Sequence, residues 1–142
     1  MTYLDEVAAL LERARANLRD ATANHAGGRF RIAVTVAYYG SFCAAKAVLA
    51  FHREGAKTHK GVSKQFFRLA VVDSDFPAET ASLLSVMQDQ RLAADYDLSI
   101  PVDDWQEHDA SLAIDRSTRF VDEVQAWLIR NLPPGERFDL RR

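Results

Sequence analysis

The sequence predicts an all-α fold of about five helices, and three observations support that prediction. Ala and Leu are frequent, whereas β-branched residues rarely alternate with polar ones, so strands are poorly supported. Only 6 Gly and 4 Pro interrupt the 142 residues, which leaves room for long helices. Apolar residues make up 48% and charged residues 27%, the balance of a globular chain with one core. We expect one helical domain over residues 1–132, followed by a C-terminal tail at 133–142.

The first two helices are predicted from their starts, their apolar stripes and their ends. Thr2 and Asp5 resemble a capping box before a helix over about 3–24, which two glycines terminate. A second helix is expected over about 29–53, with Gly55 just past its end. Its middle is apolar or small on nearly every side, which predicts a buried central helix that its neighbours approach closely. The small residues are Ala33, Ala37, Gly40, Ser41, Ala44 and Ala45.

The remaining three helices follow from N-cap and breaker residues. Thr58 has a hydroxyl suited to an N-cap and starts a third helix. Pro77 is favoured in a first turn and starts a fourth helix that reaches about Tyr96. After a loop over 97–103, a fifth helix is expected over about 104–131, where two prolines and a glycine stop it. Its inward residues are predicted to be Ala113, Ser117, Phe120, Val124, Trp127 and Leu128.

Several function classes are disfavoured by what the sequence lacks. A single cysteine, Cys43, excludes an internal disulfide and lies in an apolar stretch, as a core residue does. The first residues have no signal-peptide pattern, and the longest uncharged run, 32–45, is shorter than the roughly 20 residues of a membrane span. No Gly-rich phosphate loop occurs, and the four histidines do not cluster at metal-ligand spacing. We therefore expect a cytoplasmic protein without a metal or cofactor.

The charge is distributed unevenly along the chain. Residues 29–68 carry eight basic side chains and one acidic one, whereas residues 69–142 carry seven basic and fifteen acidic ones. The basic block could attract an anion such as RNA or a nucleotide. Alternatively, two solvated faces attract each other within one fold or across a dimer.

Two of three candidate segments lie in the first half of the chain. Residues 37–42 read AYYGSF and place Tyr38 and Tyr39 in the central helix, where aromatic packing is favoured but both phenols need hydrogen-bond partners. Residues 57–62 read KTHKGV at a helix start, where unpaired amides could hold a phosphate. An ordinary capped helix with a basic first turn explains the same pattern. The candidate nucleotide- or RNA-binding residues are Lys57, Thr58, His59, Lys60 and Lys64.

The third segment, residues 91–96, reads RLAADY at the end of the fourth helix. Arg91 and Asp95 are four residues apart, so they share a helix face and can form a salt bridge. That bridge could simply orient the helix end. A guanidinium placed there could instead hold a phosphate through two parallel hydrogen bonds.

Taken in order, the segments AYYGSFCAA (37–45), KTHKGV (57–62) and RLAADY (91–96) resemble the HEPN superfamily (higher eukaryotes and prokaryotes nucleotide-binding domain). The similarity is greatest to its small stand-alone prokaryotic branch. The resemblance implies a HEPN-like up-and-down helical bundle that often forms a homodimer. It also implies a minimal nucleotidyltransferase partner in a toxin–antitoxin pair, because many members are encoded beside one.

Active HEPN members are metal-independent ribonucleases that use an Arg, four to six spacer residues and a His from two protomers. By this resemblance Arg91, Asp95 and Tyr96 are the candidate catalytic residues. Arg91 matches the Arg, but Tyr96 stands where the His belongs. A phenol with a pKa near 10 is a poor base at neutral pH, whereas imidazole is well suited. His59 could supply an imidazole only if the fold carries it to Arg91.

The leading hypothesis is therefore one component of a nucleotidyltransferase-linked toxin–antitoxin-type pair that binds RNA, nucleotide or its partner protein. The first alternative is a metal-independent ribonuclease that uses Arg91 with an unusual acid/base residue. The second alternative is a structural dimerisation module. Some HEPN toxins are silenced by nucleotide attachment to a tyrosine near the motif, which makes Tyr96 a candidate for modification.

Overall fold

The second helix lies at the centre of the fold, and the other helices pack around it. The computed structural model describes residues 1–138 and 140, and among these it contains five α-helices and no strand. The predicted all-α fold of five helices is therefore confirmed. The helices are α1 (Tyr3–Ala26), α2 (Phe30–Phe51), α3 (His59–Phe66), α4 (Ala78–Tyr96) and α5 (Glu107–Arg130).

The small residues of α2 allow this packing, as predicted. A Cβ at Gly40 would lie 3.2 Å from the Ala14 carbonyl oxygen and 3.3 Å from Ser117 Oγ. A Cβ would thus be crowded where α1 and α5 approach the backbone of α2, and glycine avoids this crowding. The predicted small residues Ala33, Ala37, Gly40, Ser41, Ala44 and Ala45 are all buried within one protomer.

Helix α2 is long and apolar enough to cross a membrane, yet 67% of its most apolar 18-residue window is buried inside the bundle. Helices α1 and α5 make most of the contacts that cover it. This burial gives α2 a role in the core. The cytoplasmic location stays a prediction.

The predicted helix ends differ from the observed ones by a few residues. The capping box of α1 is present, since Thr2 Oγ1 accepts from the Asp5 amide and Asp5 accepts from the Thr2 amide. Helix α2 ends at Phe51, and the left-handed residue after it is Arg53, with φ of 55°, rather than Gly55. The guanidinium of Arg53 stacks 3.8 Å from the centre of the Tyr3 ring.

Two short segments differ from the prediction in kind. A π-helical segment, Phe67–Val72, continues α3. A 3-10 turn, Val102–Asp104, occupies part of the predicted loop, so the start of the fifth helix at 104 was wrong. Helix α5 begins at Glu107, and the amide of Gln106 before it donates a hydrogen bond to Asp109 Oδ2 at 2.9 Å. All six predicted inward residues of this helix are buried: Ala113, Ser117, Phe120, Val124, Trp127 and Leu128.

The C-terminal segment after α5 turns back onto the core. Phe138 and Leu140 pack against the main hydrophobic cluster. Part of the predicted tail, residues 139, 141 and 142, lies outside the described residues. The division into a domain at 1–132 and a tail at 133–142 stays a prediction.

Candidate functional site

Arg91 is a buried cation in the last turns of α4. Only 8% of the residue is exposed. Its Nη2 donates a hydrogen bond to Tyr39 Oη at 2.7 Å, and its Nε lies 3.3 Å from Asp95 Oδ2. The second contact is an ion pair without hydrogen-bond geometry, so Nε is a buried donor with no hydrogen-bond acceptor. A buried donor without a hydrogen-bond acceptor is costly, which makes Nε a natural place for an anion.

Three tyrosines surround the Arg91 guanidinium. The ring centres of Tyr39, Tyr38 and Tyr96 lie 5.3, 5.7 and 5.7 Å from its central carbon. Tyr38 is buried, Tyr39 is half-buried and Tyr96 is 67% exposed. The cation is therefore enclosed by α2 on one side and has the exposed Tyr96 as a further neighbour.

Asp95 is fixed by a contact between α2 and α4. Its Oδ1 accepts a hydrogen bond from Thr35 Oγ1 at 2.5 Å, while Oδ2 faces Arg91. One residue earlier, the carbonyl of Ala94 accepts from Arg31 Nη1 at 3.3 Å. These bonds hold the carboxylate in place, so Asp95 restricts the position of the Arg91 side chain.

His59, the first residue of α3, reaches the same tyrosines from the other side. Its Nδ1 lies 2.8 Å from Tyr38 Oη, and its ring stacks on Phe42 with centres 4.1 Å apart. The ring centre of Tyr39 lies 6.0 Å from that of His59. His59 and Arg91 thus share two aromatic neighbours, although they come from different helices.

The surroundings of Tyr38, His59 and Arg91 shift the pKa of each side chain and so favour one protonation state at neutral pH. Burial raises the pKa of Tyr38 to about 12, so its phenol stays protonated. Burial lowers the pKa of His59, and the nearby cations Arg91 and Lys46 lower it further, which favours a neutral imidazole. Burial alone would lower the pKa of Arg91, but the Tyr39 hydrogen bond and nearby negative or phenolic groups raise it on balance. The cluster therefore combines one fixed cation with one neutral imidazole.

The structure brings together only part of the predicted site. The cluster around Tyr38 and Tyr39 contains four of the predicted residues: His59, Arg91, Asp95 and Tyr96. The other four candidates, on the 57–64 segment, make no ring, ion-pair or hydrogen-bond contact with this cluster among the described residues. Thr58 caps α3 by accepting from the Gly61 amide at 2.9 Å, as predicted. Lys57, Lys60 and Lys64 are exposed, and no ion pair in the described part of the chain involves them.

Sequence reasoning missed four side chains of this cluster as site residues. Tyr38 and Tyr39 were favoured as packing residues, although the need of their hydroxyls for partners was the available signal. Thr35 and Phe42 carried no local signal, because their partners lie in α4 and α3. Within the described residues, no group of three or more His, Cys, Asp or Glu could hold a metal ion.

The chain is similar to known proteins over most of its length. The model of the HEPN domain family matches residues 7–127. Putative toxin MJ0142 of Methanocaldococcus jannaschii is 25% identical over 96% of this chain and 91% of its own length. Putative toxin MJ0605 of the same organism is 29% identical over 84% of this chain and 92% of its own length.

Two solved structures share the fold. The crystal structure of TT1696 from Thermus thermophilus has a TM-score of 0.75 at 20% identity, over 87% of this chain and 98% of that one. The crystal structure of ST0689, described as an archaeal HEPN homologue, has a TM-score of 0.69 at 21% identity, over 86% and 97% of the two chains. At these identities the likeness concerns the fold alone.

Proposed function

This chain belongs to the HEPN domain family, and we propose that it is the RNA-binding, toxin-like component of a nucleotidyltransferase-linked toxin–antitoxin-type pair. The names of its two archaeal relatives support the toxin-like part of the proposal. The RNA contact is the Arg91 site. The nucleotidyltransferase partner follows from the family resemblance alone.

The observation that carries the proposal is the Nε of Arg91, a buried donor without a hydrogen-bond acceptor. Its buried Nε has no hydrogen-bond acceptor, and Asp95 and Tyr39 fix the side chain from two sides. A phosphate oxygen would supply the missing acceptor, and a guanidinium binds phosphate through two parallel N–H groups. A salt bridge with only a structural role would align Nε with the Asp95 carboxylate, whereas here that contact lacks hydrogen-bond geometry.

A polyanion suits the surroundings better than a small anion. Lys46, Lys57 and Lys60 are exposed on the segments that bring Phe42 and His59 to the site. Lysines that form no ion pair neutralise backbone phosphates and release counterions, so they add affinity for a long RNA. Changing Lys57, Lys60 and Lys64 together to Glu should weaken binding to all RNA sequences and flatten its salt dependence.

The test compares Arg91→Lys with Arg91→Ala in RNA binding by fluorescence anisotropy. Both variants should lose roughly tenfold or more in affinity, since a charge-assisted hydrogen bond is worth about 1.5–3 kcal/mol and Lys cannot reproduce the two-pronged contact. The matched control is Arg119→Ala, which removes a half-exposed Arg that pairs with Glu79 at 3.5 Å. Wild-type affinity in Arg91→Lys, with a lowered melting temperature only in Arg91→Ala, would mean that the pair is merely structural.

A second candidate function, a metal-independent ribonuclease, is favoured by the contact network around His59. The motif has Tyr96 where an imidazole belongs. His59 supplies an imidazole in the same cluster, because Tyr38 contacts both His59 and Arg91. RNA incubated with the protein in EDTA, beside Arg91→Ala, tests this candidate. Cleavage that persists in the variant would show that the activity belongs to another site or a contaminant.

A further inference from the structure

Two cations of the central helix, Lys46 and Arg53, lie in line with the Arg91 site. Tyr39, which accepts the hydrogen bond from Arg91, is followed by Lys46 and then by Arg53 at intervals of seven residues. Seven residues are close to two helical turns, so each step drifts by only about 20° and the three positions follow one edge of α2. At about 1.5 Å per residue, this edge is about 20 Å long from Tyr39 to Arg53, which lies just past the helix end.

Aromatic rings hold both cations in place. The Nζ of Lys46 lies 5.7 Å from the centre of the Phe42 ring, and the guanidinium of Arg53 lies 3.8 Å from that of Tyr3. Both cations are exposed, and neither takes part in an ion pair within the described residues. A cation–π contact restricts a side chain without cancelling its charge. The two positive charges therefore stay available to an anion from solution.

Helix α1 adds a third cation, Arg13, beside Lys46. Asn17 of α1 donates a hydrogen bond to Cys43 Sγ at 3.8 Å, so this part of α1 lies against α2 next to Lys46. Burial raises the pKa of Cys43, whereas Lys46 and Arg13 oppose that rise, which places both charges close to one thiol. Arg13 is exposed and makes no ion pair or side-chain hydrogen bond in the part of the chain that the structure describes. We call Arg13, Lys46 and Arg53 the basic strip.

We propose that a single strand of RNA bound at Arg91 continues along this edge of α2 and places successive phosphates on the basic strip. The proposal rests on the RNA binding proposed for Arg91 and names the course of the strand beyond it. A cation at a helix C-terminus also stabilises the helix, so Arg53 by itself indicates no ligand. Its alignment with Lys46 and Arg91 favours a polymer, because a small anion would occupy one cation and leave the others without a ligand. Lys and Arg serve equally as such phosphate contacts, since these contacts position the strand and carry no sequence information.

The test compares two RNAs of different length by fluorescence anisotropy at several salt concentrations. The strip variant carries Arg13→Gln, Lys46→Gln and Arg53→Gln. For a single strand of about 12 nucleotides, the slope of log affinity against log salt concentration should fall in magnitude by about 2, since each phosphate contact to a single strand contributes about 0.7. A dinucleotide with one phosphodiester should bind the strip variant as it binds wild type, because it reaches only Arg91.

A control variant removes three cations from other surfaces: Arg19→Gln, Arg119→Gln and Arg130→Gln. It changes the net charge by the same amount as the strip variant. Arg19 lines a groove between α1 and α5, and the other two side chains form ion pairs with acidic residues. The control should retain most of the wild-type slope. Thermal melts followed by circular dichroism confirm that each variant is folded.

Rescue by lysine separates the strip from the Arg91 site. A variant with Arg13→Lys and Arg53→Lys keeps both charges and should retain the wild-type slope, because a point charge suffices for a phosphate contact of this kind. Arg91→Lys should lose affinity, because Lys lacks the planar guanidinium. A loss of slope in the double lysine variant equal to that in the strip variant would contradict a purely electrostatic strip.

Other outcomes would overturn the proposal outright. An unchanged slope in the strip variant would exclude these phosphate contacts, and an equal fall in the control variant would show that net charge alone matters. Weaker dinucleotide binding by the strip variant would place the defect at Arg91 or in the fold. Wild-type binding of both RNAs by Arg91→Ala, by contrast, would refute the function proposed for Arg91, and the strip variant would still decide whether RNA lies along α2.

Discussion

Replacing Phe66 by Ala should weaken the attachment of α3, the helix that carries His59, to the core. Phe66 is 1% exposed, and its ring lies 5.3 Å from those of Phe76 and Phe120. The next residue, Phe67, starts the π-helical segment and is 43% exposed. The two neighbours therefore form a matched pair, with the same side chain in two environments.

The size of the effect follows from burial. Truncating a fully buried Phe costs about 3–5 kcal/mol, through lost transfer free energy and the cavity that remains. The two aromatic contacts contribute about 0.5–1.5 kcal/mol each within that total. For a chain of 142 residues, each kcal/mol lowers the melting temperature by about 2–4 °C, so we expect a fall of about 6–20 °C.

Thermal unfolding followed by circular dichroism measures the difference directly. Phe67→Ala should lower the melting temperature clearly less than Phe66→Ala, because Phe67 is 43% exposed and its truncation leaves no closed cavity. Equal losses in Phe66→Ala and Phe67→Ala would refute the assignment of Phe66 to the core. Such a result would also undermine the position of His59, since Phe66 anchors the same helix.

Four further predictions concern the core, the site and the assembly. Phe120→Ala should also cost about 3–5 kcal/mol in the free energy of unfolding, because Phe120 is fully buried, and an unchanged urea midpoint would contradict this. NMR titration should give His59 a pKa below 6.5, and Lys46→Gln should raise it by removing a nearby cation; no change would exclude that electrostatic contact. The protein should be a homodimer, and a monomer mass in light scattering at micromolar concentration would rule this out. Co-expression with a neighbouring nucleotidyltransferase should add nucleotide mass at the exposed Tyr96; absence of that mass, or its persistence in Tyr96→Phe, would exclude this tyrosine as the target.

The homodimer prediction now rests on the family resemblance alone. Its other support was the set of small residues on the central helix. The structure uses these residues inside one protomer, where Gly40 meets α1 and α5. Small side chains show that a helix is approached closely, but their sequence pattern is the same whether the neighbour is another helix of the chain or a second copy.

Local interactions determined what the sequence could predict. The capping residues Thr2 and Thr58 contact groups three residues away, so their roles were visible in the sequence and were confirmed. The spacing of Arg91 and Asp95 placed them on one helical face, and they form an ion pair at 3.3 Å. Apolar periodicity likewise identified the buried face of α5 before its neighbours were known.

Only the tertiary structure decided which helices supply the site. The partners Tyr38 and His59 are 21 residues apart, and Arg91 and Tyr39 are 52 residues apart, so no helical period relates them. Their meeting depends on how α3 and α4 pack against α2, and that packing is fixed by buried side chains such as Phe66 along the whole interface. The sequence therefore determined the helices and one ion pair, whereas long-range packing brought His59 and Arg91 to the same tyrosines.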